Sequence, residues 1–291
     1  MTKHIPFTKM EGLGNDYIYI NGFDITLKDP AAMARAMSDR HFGIGSDGLV
    51  LILPSAVADV RMRMFNSDGS EAEMCGNASR CVGKYVYDHG LVIKPVITLE
   101  TKAGIKVLHL MFEHDTVVGA RVDMGEPTLS AKAIPVQTGT GTELPQADAC
   151  VINKTLNAAG QAWAITAVSM GNPHAVVFVD DVAALDLPQL GTAFEQHSFF
   201  PQRVNTEFVQ ILSPSHVRMR VWERGAGETL ACGTGACATV VACVLTGQCG
   251  RRVQVDLLGG ALDIEWNEQD NHVLMTGPAR TVFDGMYHIT K

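Results

Sequence analysis

Arg218-Met219-Arg220-Val221-Trp222, followed by Glu228 and Cys232-Gly233, repeats Arg61-Met62-Arg63-Met64-Phe65, followed by Glu71 and Cys75-Gly76. Every matched pair lies 157 residues apart, with no gap. The same spacing pairs Gly14-Asn15 with Gly171-Asn172, Phe42 with Phe199 and Gly90 with Gly247. A chain that doubles its fold and keeps one cysteine in each copy is expected to face the two thiols across a pseudo-twofold axis. Two facing acid/base groups on one carbon are what inversion of a stereocentre requires.

The 291 residues suit one large or two medium domains, and the repeat decides for two. A hydrophobic content of 46% supports an ordinary globular core. The net charge of −8 argues against nucleic acid or an anionic membrane as a partner. No apolar stretch has the length of a bilayer span, and Met1–Pro6 leads into no apolar signal region. Seven cysteines are an odd count without the density of a disulfide scaffold, so the expected setting is a reducing cytoplasm.

Each half reads in the same order. A strand leads through Gly-Asn into a second strand, Asp16–Asn21 and His174–Val179. A helix follows, opened in the first half by Asp29 as cap and Pro30, and running over about 187–197 in the second. Two strands come next, Leu49–Leu53 and Val60–Phe65, then Glu207–Leu212 and Val217–Trp222. A loop delivers Cys-Gly to a helix that ends at Gly90 or Gly247, each a natural left-handed C-cap. The second of these helices is apolar on nearly every face, which predicts burial. The expected fold is α/β of the α+β type: two pseudo-symmetric domains, each a curved, mostly antiparallel sheet wrapped around a central helix. The polar Thr138–Ala149 stretch reads as a surface excursion.

At a helix N-terminus, unpaired N–H groups and the dipole favour a thiolate, so a lowered pKa is expected for Cys75 and Cys232. Two such termini suit a carboxylate, and their donors would stabilise the enediolate formed when an α-proton leaves. Cys81, Cys150, Cys237, Cys243 and Cys249 read as small hydrophobes. The spacing of Cys232, Cys237, Cys243 and Cys249 brings no zinc set to one helix face, so no metal is expected. Alone, the two Gly-Asn pairs would be turns, His174 a structural histidine, and Glu223-Arg224 a solvated pair.

Glu11–Asp16, Arg40–Gly45, Asn66–Asn77, Gly171–His174, Arg203–Asn205 and Trp222–Gly235 together resemble the diaminopimelate epimerase family over most of the chain. The resemblance implies domains at 1–124 and 125–278, with a final strand at about 279–291 returning to the first, and a site in the cleft between them. It implies interconversion of L,L- and meso-diaminopimelate without pyridoxal phosphate or any other cofactor, in lysine and peptidoglycan biosynthesis. Cys75 would take the proton from the L,L isomer and Cys232 act on the meso isomer. Gly76, Asn77, Gly233 and Thr234 would hold the reacting carboxylate. Asn66, Asn172, Asn205, Glu223 and Arg224 would read the distal end, with Asn15 also on the substrate side. His174 and Glu223 would set thiol protonation. The pattern departs at Gly48, where many members carry Gln. A proline or hydroxyproline racemase is the nearest alternative, set apart by the distal carboxylate that proline lacks. A non-catalytic amino-acid-binding protein and a dithiol redox protein are alternatives of other classes. The oligomeric state stays open, a homodimer included.

Overall fold

The computed structural model describes residues 3–137 and 149–289; the expected surface excursion lies outside the described residues apart from Ala149. The chain divides into two compact units, Met1–Asp123 with Thr276–Lys291, and Met124–Met275.

The first unit contains β1 (Lys3–Gly12), β2 (Asn15–Asn21), α1 (Pro30–Ser38), β3 (Gly48–Leu53), β4 (Val60–Asn66), β5 (Glu71–Ala72), α2 (Gly76–Asp88), β6 (Val96–Thr101), β7 (Gly104–Glu113) and β8 (Thr116–Asp123). The second contains β9 (Lys154–Ala158), β10 (Gln161–Ser169), β11 (Pro173–Phe178), α3 (Leu187–Glu195), β12 (Asn205–Ser213), β13 (His216–Glu223), β14 (Gly227–Thr229), α4 (Gly233–Leu245), β15 (Arg252–Leu257) and β16 (Gly260–Trp266). β17 (Val273–Pro278) leads to β18 (Arg280–Ile289), which pairs antiparallel with β1 and so belongs to the first unit.

Strand pairing repeats between the units. β1–β2 and β10–β11 are antiparallel, whereas β2–β3 and β11–β12 are parallel across the helices α1 and α3. β3–β4 and β12–β13 are antiparallel, and β4–β6 and β13–β15 are parallel across α2 and α4. The architecture is thus mixed α/β with a sheet-dominated core. Three strands were not legible in the sequence. β5 and β14 are only two and three residues long and stand where a loop was expected. β9 pairs with β10 as β18 pairs with β1.

The local signals act as physical chemistry requires. Asp29 accepts from the Ala32 N–H at 2.9 Å and caps α1, and Asp186 caps α3 through Gln189. Gly90 and Gly247 close α2 and α4 with φ of 68° and 70°. There Leu91 N–H bonds back to Val86 O, and Gln248 N–H to Cys243 O. α2 packs on β1, β2, β7 and β8; α4 packs on β10, β11, β12, β15 and β16. Both helices are core elements, which explains the apolar surface of α4. In α2, the buried Arg80 and Lys84 instead reach the carbonyls of Pro278 and Val117 at 3.0 and 2.6 Å.

Candidate active site

Each unit delivers its cysteine in the same way. Arg63 on β4 forks onto Glu71, and Arg220 on β13 onto Glu228, both at 2.7 Å. These pairs fasten the short strands β5 and β14 just ahead of the cysteines. Cys75 and Cys232 then take extended backbone as the N-caps of α2 and α4, without capping hydrogen bonds from their own side chains. The first helical bonds run from Ser79 N–H to Cys75 O and from Ala236 N–H to Cys232 O. The amides of Gly76, Asn77 and Ala78, and of Gly233, Thr234 and Gly235, thus have no partner within their helices. Such a terminus is suited to an anion.

In the first unit Cys75 is half-buried, and its Sγ stands 3.5 Å from Asn15 Oδ1. Asn15 Nδ2 donates to Asp47 at 2.8 Å, which fixes the amide because a carboxylate only accepts. Arg40 bridges Asp47 and Asp16, at 2.9 and 2.8 Å. Asn77 Nδ2 also lies 3.5 Å from Asn15 Oδ1, and its own Oδ1 is buried without a hydrogen-bond partner. Asn66 closes a turn, donating from Nδ2 to Ser70 Oγ at 3.0 Å. Asp47 and Arg40 escaped the sequence reading as site residues.

In the second unit Cys232 is buried, with Sγ 3.5 Å from Thr234 Oγ1. His174 Nδ1 lies 2.7 Å from Glu207 Oε1, and both side chains are inaccessible to solvent. His174 Nε2 lies 3.0 Å from Asn172 Oδ1. Glu223 accepts a short hydrogen bond from Thr229 Oγ1. Asn205 donates to Pro173 O at 3.0 Å and accepts from the Arg224 N–H at 2.9 Å, so it ties the start of β11 to the residue that follows β13. The exposed Arg224 guanidinium donates to Gln202 O at 2.9 Å. Gly233 and Thr234 form the first positions of α4.

The helix-terminus argument predicts a lowered Cys232 thiol, and the structure shows the opposite. Burial is the largest influence and pushes the thiol well above its ordinary value; the charges of Glu223 and Glu207 push the same way. A hydrogen bond from Thr234 opposes them and is outweighed. Burial also raises the Glu223 carboxyl, against the Thr229 hydrogen bond. Cys232 therefore rests as a thiol, a proton carrier rather than a ready base. Of the five remaining cysteines, Cys81, Cys237 and Cys243 are buried as expected, but Cys249 is half-buried and Cys150 exposed, so the core reading fails for those two. Among the described residues, no cluster of three or more His, Cys, Asp or Glu could hold a metal ion.

Glu207 was the main residue missed. Its signal was a break in the repeat: 157 residues earlier stands Val50, buried in β3. Gly48 also finds its reason. A Cβ there would stand 2.1 Å from Phe65 O and 2.7 Å from the Tyr17 ring, so the Phe65 carbonyl and Tyr17 together leave no room for a side chain.

On fold, the chain is similar to a Bacillus anthracis phenazine biosynthesis protein of the PhzF family, with TM-score 0.70 and 16% identity over 99% of this chain and 100% of that one. It is likewise similar to a hydroxyproline epimerase from Agrobacterium vitis, with TM-score 0.67 and 15% identity over 99% and 92% of the two chains. These define the class of fold. The sequence profile of diaminopimelate epimerase matches residues 7–130 and 166–282. Proteins named diaminopimelate epimerase from Desulfovibrio desulfuricans and Methanococcus maripaludis strain C6 are 62% and 57% identical to it. The matches cover 99% and 97% of this chain, and 100% and 99% of theirs. The chain belongs to the diaminopimelate epimerase family.

Proposed function

We propose that this chain is an isomerase that interconverts L,L- and meso-diaminopimelate, with Cys75 and Cys232 as base and acid on one α-carbon. The observation that carries the reading is the duplicated half-site: a cysteine at the N-cap of a buried 13-residue helix, once in each unit. Family membership supplies the substrate. In the L,L to meso direction, Cys75 removes the α-proton and the Cys232 thiol donates its own; the reverse direction exchanges the roles. A resting Cys232 thiol fits the donor role. The backbone amides of Gly76, Asn77, Gly233 and Thr234 take the carboxylate and stabilise the enediolate, in the manner of an oxyanion hole. Arg224 pairs with the distal carboxylate, and Asn15, Asn66, Asn172, Asn205 and Glu223 complete substrate recognition. His174 and Glu223 are the auxiliary groups that set thiol protonation.

Two thiols supply both proton transfers, so the reaction as proposed calls on no metal or coenzyme. Reduced thiols of this kind fit a reducing cytoplasm. No helix among the described residues is long and apolar enough to cross a membrane.

Purified protein without added cofactor is expected to isomerise L,L-diaminopimelate, followed by circular dichroism. In D2O, deuterium is expected in the meso product before it enters recovered substrate. Equal wash-in to both would point to a single base and refute the two-thiol mechanism.

A further inference from the structure

Glu207 carries a buried negative charge that neither the repeat nor the proposed reaction accounts for. It lies on β12, completely buried; Oε1 engages His174, and Oε2 has no hydrogen-bond partner. Leaving a buried carboxylate oxygen unpaired is costly, so such a group calls for an explanation. Its surroundings supply one. A Cβ on Gly235 would stand 2.6 Å from Glu207 Oε1 and 3.2 Å from Cys232 Sγ. The carboxylate and the catalytic sulfur therefore press on the same point of the first turn of α4.

The repeat shows that this arrangement is a paired exchange. Position 207 corresponds to Val50, and position 235 to Ala78. At these two positions the first unit thus has a valine and an alanine. The second has a carboxylate against a glycine beside Cys232, and the helix gives up one methyl group to admit it. The titratable groups facing this turn are His174 from β11, Glu207 from β12 and Glu223 from β13. At the same three positions the first unit has Tyr17, Val50 and Asn66.

We propose that Glu207 is a positioning residue whose buried charge keeps Cys232 in its proton-carrying thiol form and so makes the two cysteines of the repeat chemically unequal. The inference rests on the role given to Cys232 above. The Glu207 charge opposes formation of a second negative charge on the neighbouring sulfur, while His174 holds the carboxylate in place. Glu223 acts in the same direction from the other side.

The test is a pH titration of the intact chain labelled with 13C at cysteine Cβ, with the Cys232 resonance assigned through Cys232→Ser. Glu207→Gln is expected to raise the ratio of thiolate to thiol at Cys232 about tenfold at a given pH, the effect of removing one like charge at this range. Glu207→Asp keeps the charge and is expected to stay within about threefold of the parent chain. Should Glu207→Gln fail to fold, Glu207→Val combined with Gly235→Ala serves instead. That pair copies the residues the repeat has at the same positions, Val50 and Ala78, and the same tenfold rise is expected. An unchanged or lower thiolate ratio in the folded variant would overturn the proposal, and would mean that His174 cancels the Glu207 charge. The readout needs no turnover. A chain that fails to isomerise diaminopimelate yet shows the tenfold rise would sink the proposed function and sustain this inference.

Discussion

The surroundings of Cys75 and Cys232 share a backbone and differ in charge. Both cysteines cap 13-residue helices, and both follow an Arg–Glu fork closed at 2.7 Å. The first copy of the repeat carries Asn15, Tyr17, Gly48, Val50, Asn66 and Ala78. At the corresponding positions the second carries Asn172, His174, Asn205, Glu207, Glu223 and Gly235. The asparagine that begins each set is held by a different partner. Asn15 gives its amino group to Asp47 and turns its oxygen toward Cys75. Asn172 turns its oxygen to His174. Duplication preserved the frame that places a sulfur at a helix N-terminus, while substitution within the frame put His174, Glu207 and Glu223 in the second unit where the first has Tyr17, Val50 and Asn66. An enzyme acting on two faces of one carbon needs one thiol loaded with a proton and one empty, and unequal surroundings bias that choice.

The largest effect expected is on the sulfurs themselves. Cys75→Ala and Cys232→Ala should each lower kcat/KM for L,L-diaminopimelate by about 10²–10⁴-fold, because each removes one of the two proton carriers. Similar losses are expected despite the dissimilar surroundings. Near-normal turnover in either variant, measured by circular dichroism, would break the equivalence of the two frames.

Recognition should be one-sided. Arg224→Ala removes a charge-assisted contact to the distal carboxylate and should cost about 1.5–3 kcal/mol in kcat/KM. Its counterpart Ser67 is exposed, and Ser67→Ala should change kcat/KM by no more than about twofold. Equal effects at the two positions would remove Arg224 from the substrate site.

Packing of the first helical turn offers a stability comparison. Gly235→Ala forces a methyl group against the Glu207 carboxylate and should lower stability by about 1–3 kcal/mol in urea unfolding. Ala78→Gly loses helix propensity and a small buried group and should cost about 1 kcal/mol. In a Glu207→Val background the Gly235→Ala penalty should largely vanish. A penalty that persists there would show that the carboxylate is not what excludes the methyl.

The smallest effect concerns alkaline pH. A free thiol titrates near 8.5 when unfolded, whereas folded Cys232 is held higher by burial. Below that unfolded value both states carry the proton and the contribution to stability is complete. Above it the unfolded chain releases the proton first, so stability falls as pH rises toward the folded value. Cys232→Ser should therefore flatten the alkaline stability curve by up to about 1.4 kcal/mol per pH unit. Cys81, which burial pushes up to about 12, contributes a similar slope from the first unit and should leave part of the dependence in place. A curve unaltered by Cys232→Ser would mean that this thiol ionises alike in both states.

The sequence by itself determined the duplication, the two cysteines at helix starts, the caps at Asp29, Gly90 and Gly247, and the buried character of α4. Each is a matter of spacing, φ preference or hydrophobic pattern, which are properties of neighbouring residues. It pointed away from the second cysteine's proton affinity, because a helix N-terminus is visible in sequence and desolvation is not. Only the tertiary structure decided that burial raises the Cys232 thiol, that Glu207 packs against the first turn of α4, and that Asn15 is held by Asp47 while Asn172 is held by His174. Those outcomes depend on which side chains from separate strands share one buried volume, and electrostatic energy there is set by distance and solvent exclusion rather than by position along the chain.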